Sequence, residues 1–269
     1  MTISSSISSD FQDKLAIKVI TGLNNFKIEQ IKQMTQAAEI AKATYMDIAA
    51  DINIIKELQS VSTIPLCVSA VSAQELVECQ KAGVQILEIG NYDTFYNQGR
   101  LFSSKEIIQI SKDVRHLLPD TTLCVTIPHV LSIEEQIQLT ENLQNIGVSI
   151  IQTEGKSTSF SKKGDLSGMI QKSASTCSST YAISKNSDIP IISASGISAL
   201  TSSISFLYGA SCVGIGTNIR QLNDIASMVM YIYEIKTAIK CNKNSKQNLS
   251  HSIKTSSITC QIISYDINV

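Results

Sequence analysis

The stretch PIISASGISALTSSISFLYGASCVGIGTN, from Pro190 to Asn218, holds two short apolar runs on either side of one helix-length segment. Gly196 and Gly216 end the two runs, as expected where a strand passes into the next helix. Short apolar runs that alternate with amphipathic segments of helix length are typical of parallel strands joined by crossover helices. This stretch therefore predicts two consecutive βα units.

The same alternation extends back to the start of the chain and predicts eight βα pairs in all. The predicted strands are Ala16 to Thr21, Thr44 to Ala50, Pro65 to Ala70, Gln85 to Ile89, Thr122 to Ile127, Ser149 to Thr153, Pro190 to Ala194 and Cys212 to Ile215. Eight such pairs in 269 residues favour one α/β domain, a (β/α)₈ TIM barrel, with an open doubly wound sheet as the alternative. The barrel is predicted over 15–240, after an N-terminal arm at 1–14 and before a polar linker and short C-terminal segment at 241–269.

The predicted helix boundaries support this alternation of strands and helices. Three predicted helices open with Ser-x-x-Glu, the capping-box pattern that satisfies unpaired N–H groups of a first turn. These pairs are Ser72 with Glu75, Ser103 with Glu106, and Ser132 with Glu135. Gly83, Gly147 and Gly209 each follow a predicted helix, at nearly equal steps of two βα units, where a left-handed residue ends a helix.

The composition excludes several classes of function. With 22 basic and 23 acidic residues, the chain lacks the positive charge of a nucleic-acid or membrane-surface binder, so neither partner is expected. No apolar run reaches the roughly 18 residues that a membrane span needs. Seven cysteines form an odd set without a C-x-x-C pair and are interpreted as reduced core thiols.

The two glycine-bearing strand ends predict a phosphate site. Glycine allows backbone N–H groups to approach an anion closely, and TIM barrels often bind phosphate at the loops after strands seven and eight. The predicted phosphate-binding residues are Ser195, Gly196, Ile197, Gly216, Thr217 and Asn218. Arg220 is the nearest basic side chain. The alternative is that these glycines only form tight turns. Flavin mononucleotide, whose phosphate fits the same loops, is a third option; no cofactor is required by the sequence.

Strand alternation selects the candidate catalytic residues. Lys18 on the first strand, Asp47 on the second and Glu88 on the fourth each interrupt an otherwise apolar strand on one face. Because isolated buried charges are costly, the three are expected to pair inside the barrel. Lys18 is then a general base or a Schiff-base nucleophile, with the carboxylates orienting it and tuning its pKa. The alternatives are a structural ion network or an outward-facing Lys18.

Other polar residues are secondary candidates. His129 follows the fifth strand and is a candidate general acid or base, with a hydrogen-bonded loop histidine as the alternative. Glu154 ends the sixth strand, and the polar loop at 155–164, with Lys156, is a candidate lid over the barrel. The three histidines lack metal-ligand spacing, so no metal site is predicted.

Four segments carry a resemblance to known families. The Ser193 to Ser198 and Val213 to Ile219 segments are similar to the phosphate-binding end of ribulose-phosphate-binding-type barrels, such as thiazole synthases and sugar-phosphate epimerases. With KVITGLNNF from Lys18 and DIAAD from Asp47, the whole chain resembles the hypothetical chloroplast reading frame twenty-three family, a TIM-barrel family of algal plastids and cyanobacteria. The resemblance implies a plastid-encoded protein of the chloroplast stroma. It implies no particular reaction.

The favoured function is therefore binding of a small phosphorylated metabolite, with isomerase, epimerase or synthase-type chemistry. The rival is a non-catalytic ligand-binding or assembly protein, since fold alone does not separate the two. The end of the chain, from Ile258, is a short apolar stretch that pairs with a sheet edge, covers the barrel bottom or mediates self-association into a homo-oligomer.

Overall fold

The computed structural model describes residues 3–96, 98–155 and 166–241, and in it eight parallel strands close into a barrel. Each strand pairs with the next along the chain, and β8 returns to β1 with Cys212 opposite Ala16. The strands are β1 Ala16–Ile20, β2 Tyr45–Ala49, β3 Leu66–Ala70, β4 Ile86–Ile89, β5 Thr122–Ile127, β6 Ile150–Thr153, β7 Ile191–Ala194 and β8 Cys212–Ile215. The predicted TIM barrel is confirmed, and the open sheet is wrong because both edges are paired.

Helices surround this barrel. They are α1 Ser5–Gln12, α2 Ile28–Ile40, α3 Ile52–Val61, α4 Ala73–Lys81, α5 Asp93–Tyr96, α6 Ser104–Leu117, α7 Ile133–Ile146, α8 Leu166–Ser184, α9 Ala199–Leu207, α10 Thr217–Arg220 and α11 at 225–241. Among the described residues, no helix is both long enough and apolar enough to span a membrane.

The predicted helix boundaries hold in detail. All three capping serines accept a hydrogen bond from the backbone N–H of the glutamate three residues later, but only Glu135 completes the reciprocal half of the box. Glu106 binds Arg100 instead. Positive φ angles at the glycines that follow α4, α7 and α9 confirm the left-handed positions: Gly83, Gly147 and Gly209.

Alternation divides the strand residues into two cores. Outward residues such as Met46 and Ile48 pack against the helices, while inward residues, including Tyr45, Cys67, Cys124 and Cys212, fill the barrel. The expectation of core thiols is met at five of the six described cysteines, which are buried and free; Cys241 is exposed.

The N-terminal arm contains a helix that the sequence pattern does not predict. Ile7 and Phe11 of α1 are buried in the barrel's inner cluster, and the Phe11 ring lies 6.3 Å from the Tyr45 ring. The Thr44 hydroxyl donates to Asp10 (2.7 Å) and accepts from the backbone N–H of Ile17 (3.0 Å). Helix α1 therefore closes the end of the barrel at which the strands begin.

Two predicted features lie outside the described residues. They are most of the candidate lid, including Lys156, and the C-terminal segment beyond residue 241. Helix α11 belongs to the barrel, because Met228, Ile232, Ile235 and Ile239 pack against the cluster behind β1, β2 and β8.

Candidate active site at the centre and mouth of the barrel

Lys18, Asp47 and Glu88 meet at the centre of the barrel, each on the inward face of its strand. The Lys18 ammonium contacts Glu88 Oε2 at very short range and lies 3.4 Å from Asp47 Oδ2. It also donates to Gln152 Oε1 of β6 (2.8 Å). The structure therefore brings together all three predicted catalytic residues, and it adds an amide from a fourth strand.

Each carboxylate has further hydrogen-bond donors. Glu88 Oε1 accepts from Thr126 Oγ1 (3.0 Å) and Gln152 Nε2 (2.7 Å), while Asp47 Oδ1 accepts from Ser69 Oγ (2.6 Å). Buried carboxylates tolerate desolvation when neighbouring donors and a cation saturate their lone pairs. The central network, which we define as Lys18, Asp47, Ser69, Glu88, Thr126 and Gln152, is thus internally satisfied.

The charged residues of this network are sealed from solvent, with side-chain exposures of 0% for Lys18 and Glu88 and 1% for Asp47. Burial alone would lower the pKa of Lys18, but the attraction of Asp47 and Glu88 outweighs it and raises that pKa well above its usual value. For Glu88, burial dominates over the attraction of Lys18 and raises the pKa. Lys18 is therefore an ammonium at rest and must give up a proton before it can act as base or nucleophile.

The same geometry bears on metal binding. Asp47, Cys67 and Glu88 each place one ligand atom within 4.8 Å of the others. The Lys18 ammonium, however, contacts both carboxylates and supplies the positive charge that a metal ion would otherwise bring. We therefore assign no metal to these residues.

Asn91 connects the network to the mouth of the barrel, which we define as the end at which the strands finish. Its Nδ2 donates to Asp47 Oδ2 (3.1 Å), and the residue is only partly buried. Asn91 has a φ of 63°, in the left-handed region that asparagine tolerates better than most residues. This backbone conformation at the end of β4 places the amide between Asp47 and the mouth.

The predicted phosphate residues lie at the mouth, after the neighbouring strands β7 and β8, but packing accounts for both glycines. A Cβ on Gly196, which has a φ of 72°, would lie 2.3 Å from the backbone oxygen of Lys172 in α8. A Cβ on Gly216 would lie 2.8 Å from Arg220 Nη1. Ile197 is buried in the outer core, and Asn218 donates to Tyr231 of α11. Phosphate binding at these loops stays a prediction.

Arg220 is the basic group at this part of the mouth. Its Nη1 donates to the backbone oxygen of Ile20 (3.2 Å), and its Nη2 donates to Thr217 Oγ1 (3.1 Å). Gly22 and Gly216 flank the guanidinium, so the absence of side chains there makes room for it. The ends of β1 and β8 therefore present a positive charge next to the predicted phosphate loop.

Across the mouth, Glu154, His129 and Tyr96 form a second polar cluster, here called the mouth cluster. Glu154 Oε1 accepts from the Tyr96 hydroxyl and from the backbone N–H of His129 (3.0 Å), and it lies 3.0 Å from His129 Nδ1. The Tyr96 and His129 rings meet edge to face with centroids 4.9 Å apart. The side chains of His129 and Glu154 retain exposures of 13% and 8%, so they are more accessible than Lys18.

Sequence reasoning missed the uncharged members of the site. Ser69, Thr126 and Gln152 share the inward face of their strands with apolar residues, so alternation was a usable signal once Lys18 had been placed inside. Asn91 and Tyr96 lie beyond β4, where no strand pattern fixes a direction. Their contacts depend on the closed barrel and had no local signal.

One family model and several related proteins match this chain over most of its length. A family model described as "Protein of unknown function (DUF561)" matches residues 3–245. The chain is 76% identical over 269 residues to "Uncharacterized protein ycf23" of Pyropia yezoensis, covering 100% of this chain and 98% of the relative. The protein of the same name from Antithamnion sp. is 40% identical over 271 residues, covering 96% and 98%.

Solved structures similar to this one are barrel enzymes of distant sequence. An aldolase named QR15 superposes with a TM-score of 0.59 at 16% identity, covering 82% of this chain and 94% of that one. A 3-hexulose-6-phosphate synthase gives 0.58 at 13%, covering 83% and 99%. The (S)-3-O-geranylgeranylglyceryl phosphate synthase of Thermoplasma acidophilum, in complex with its substrate sn-glycerol-1-phosphate, gives 0.60 at 10%, covering 89% and 99%. These similarities show the fold alone.

Proposed function

This chain belongs to the DUF561 family, the family of the ycf23 proteins, and from the geometry of its barrel we propose that it is a lyase or isomerase acting on a phosphorylated carbonyl compound. The substrate enters at the mouth of the barrel, Lys18 forms an imine with its carbonyl carbon, and Arg220 with the loops after β7 and β8 holds its phosphate. The family's ycf names support a plastid-encoded gene, and we place the protein in the stroma.

The observation that carries this proposal is the burial of Lys18 between two carboxylates. Each ion taken out of water costs several kcal/mol, and replacing a buried ion pair with well-packed apolar residues is often neutral or stabilising. Stability therefore gives little reason for three charges at the centre of an otherwise apolar barrel. Charged clusters with shifted pKa values are more frequent at functional sites than elsewhere.

The two carboxylates of the central network stabilise a positive charge, which a protonated imine carries and a neutral amine does not. Lys18 first transfers a proton to Glu88, the carboxylate that its ammonium contacts directly. The neutral amine then attacks the carbonyl carbon, and water leaves as the imine forms. Once protonated, the imine carries the positive charge that the ammonium had, so Asp47 and Glu88 stabilise it as they stabilise the resting Lys18.

Reductive trapping tests the role of Lys18 without knowledge of the natural substrate. The protein is incubated with dihydroxyacetone phosphate and cyanoborohydride, and the modified lysine is located by peptide mass spectrometry. We expect a stable adduct on Lys18 that is absent in Lys18→Met. Reaction confined to surface lysines such as Lys185 would contradict the proposal.

Two variants, Arg220→Gln and Gly216→Ala, test whether Arg220 holds the phosphate of the substrate. The atom nearest to the new Cβ of Gly216→Ala is Arg220 Nη1, at 2.8 Å, at the far end of a flexible side chain, so the substitution displaces the guanidinium. A hydrogen bond to a charged group contributes roughly 1.5–3 kcal/mol, so we expect both variants to lose about 10- to 100-fold in trapping of dihydroxyacetone phosphate. Trapping of unphosphorylated dihydroxyacetone should not change. Lys185→Gln is the control for loss of a surface charge.

The complete burial of Lys18 favours a second candidate function, a ligand-binding or assembly barrel that carries out no reaction. In that case the central network only holds the strands together, and phosphate at the mouth is the whole function. Inorganic phosphate would then raise the melting temperature of the wild-type protein but not of Arg220→Gln, and no carbonyl compound would be trapped on Lys18.

A further inference from the structure

The mouth cluster has the geometry of a proton-transfer site. The carboxylate of Glu154 faces His129 Nδ1, and the backbone N–H of His129 donates to the same oxygen. A carboxylate in this position holds the imidazole in one orientation and leaves Nε2 as the working atom. Among residues 3–96, 98–155 and 166–241, no hydrogen bond to His129 Nε2 is present.

The mouth cluster lies directly above the central network. Glu154 follows Gln152 by two residues at the end of β6, and His129 follows Thr126 by three at the end of β5. Two residues along a strand advance by about 7 Å, so one layer of the barrel separates the two groups. A small molecule of this length, bound at the mouth, would contact both groups.

We propose that His129 is the general acid–base residue of this site, acting through Nε2 on the hydrogen of the carbon beside the carbonyl of a phosphorylated hydroxy ketone. Glu154 and Tyr96 are positioning residues, because they act on the ligand only through His129. The inference rests on the proposed function, since it assigns the proton transfer that follows imine formation.

The step is balanced without an oxidant or reductant. His129 Nε2 takes the proton, the electron pair of the broken carbon–hydrogen bond becomes the carbon–carbon double bond of an enamine, and the iminium nitrogen of Lys18 becomes neutral. The imidazolium exchanges its proton with solvent and returns a solvent proton to the same carbon, which restores the iminium. Water then hydrolyses the iminium and releases the ketone, now with a hydrogen from solvent, and the free Lys18 amine.

Solvent exchange measures this step directly. The protein is incubated with dihydroxyacetone phosphate in D₂O, and the loss of carbon-bound hydrogen is followed by proton NMR. General acid–base catalysis contributes roughly 10²- to 10⁴-fold, so we expect His129→Gln to slow the exchange at least 100-fold. Adduct formation at Lys18 should be retained. His116→Gln, which changes an exposed histidine, is the matched control and should exchange at the wild-type rate.

Two further measurements separate catalysis from structure. Imidazole in the buffer should restore part of the exchange in His129→Ala, which a damaged fold would not allow. Glu154→Gln should lower the exchange rate at saturating ligand about tenfold and leave the half-saturating concentration unchanged, because the positioning carboxylate does not touch the ligand.

The outcomes distinguish the two proposals. Normal exchange in His129→Gln overturns the role of His129 and leaves the imine intact. Exchange that depends on His129 but occurs without an adduct on Lys18 supports His129 and overturns the imine. Neither exchange nor adduct in the wild-type protein overturns both for this class of ligand.

Discussion

Lys18 holds the central network together, because its ammonium is the one cation that contacts both Asp47 and Glu88 among the described residues. Lys18→Met leaves two buried carboxylates without a counter-charge, and breaking a buried pair in this way costs roughly 3–5 kcal/mol. We expect that loss in the free energy of unfolding, measured with urea. The double variant Lys18→Met with Glu88→Gln should recover part of it. An unchanged midpoint for Lys18→Met would show that the network contributes nothing to stability.

Glu88 gives the barrel a specific pH dependence. Its pKa is raised in the folded protein, mainly by burial, so the folded state keeps this proton to higher pH than the unfolded chain, in which a glutamate titrates near about 4.3. The folded state therefore binds more protons, and stability falls as pH rises from about 4.3 towards the folded pKa. Urea unfolding from pH 4 to 8 should show this fall in the wild-type protein. A Glu88→Gln variant with the same fall would contradict the assignment.

Among the residues of the central network, the charged ones were predicted from the sequence and the uncharged ones were not. Lys18, Asp47 and Glu88 stand out because a charge inside an apolar strand needs a partner. Gln152 and Thr126 do not, since such residues also occur at exposed strand positions. Predicting their contacts with Glu88 requires the register of β4, β5 and β6 around a closed ring.

Among the helices and strands, α1 is the one whose contribution to the core is simplest to test. Phe11 is 3% exposed and packs between this helix and the inside of the barrel. Phe-to-Ala changes in cores cost about 3–5 kcal/mol, so Phe11→Ala should lower the free energy of urea unfolding by about that amount. Ser9→Ala, on the exposed side of the same helix, is the control. Equal effects of the two changes would show that α1 does not close the barrel.

The contact between α8 and the loop after β7 allows a second test. Gly196 and Gly99 both have positive φ, but only the Cβ of a residue at 196 would collide with backbone; nothing lies within 4 Å at 99. Gly99→Ala therefore reports the cost of the backbone conformation alone, about 1 kcal/mol or slightly more. We expect Gly196→Ala to lower the melting temperature clearly further. Similar shifts would mean that α8 moves aside without cost.

The strands were predictable because each is a short apolar run between a helix end and a helix start, and every predicted boundary lies within one residue of the structure. Helix α1 was not predictable in the same way. Its two buried residues, Ile7 and Phe11, have helical spacing, but the serines around them give no continuous apolar face. Its position is determined by the open end of a barrel that the rest of the chain forms.

For the whole molecule, the last described helix, α11, is part of the folded core. Its four buried residues, Met228, Ile232, Ile235 and Ile239, each contribute roughly 1.5–3 kcal/mol by burial, a total comparable to the 5–15 kcal/mol stability of a typical domain. A chain ending at residue 241 keeps this helix and should unfold cooperatively. A chain ending at residue 224 should not fold. Cooperative unfolding of the shorter chain would contradict the assignment of α11 to the core.

The reactivity of the inward cysteines reports whether the barrel is closed or open. Cys67, Cys124 and Cys212 lie on three strands inside the barrel, and burial raises the pKa of each thiol, so the reactive thiolate is absent while the ring stays shut. Alkylation at these sulfurs therefore requires either that strands separate or that α1 leaves the end of the barrel that it closes. The rate of iodoacetamide labelling at these three cysteines, followed site by site by peptide mass spectrometry, therefore measures how often the barrel opens.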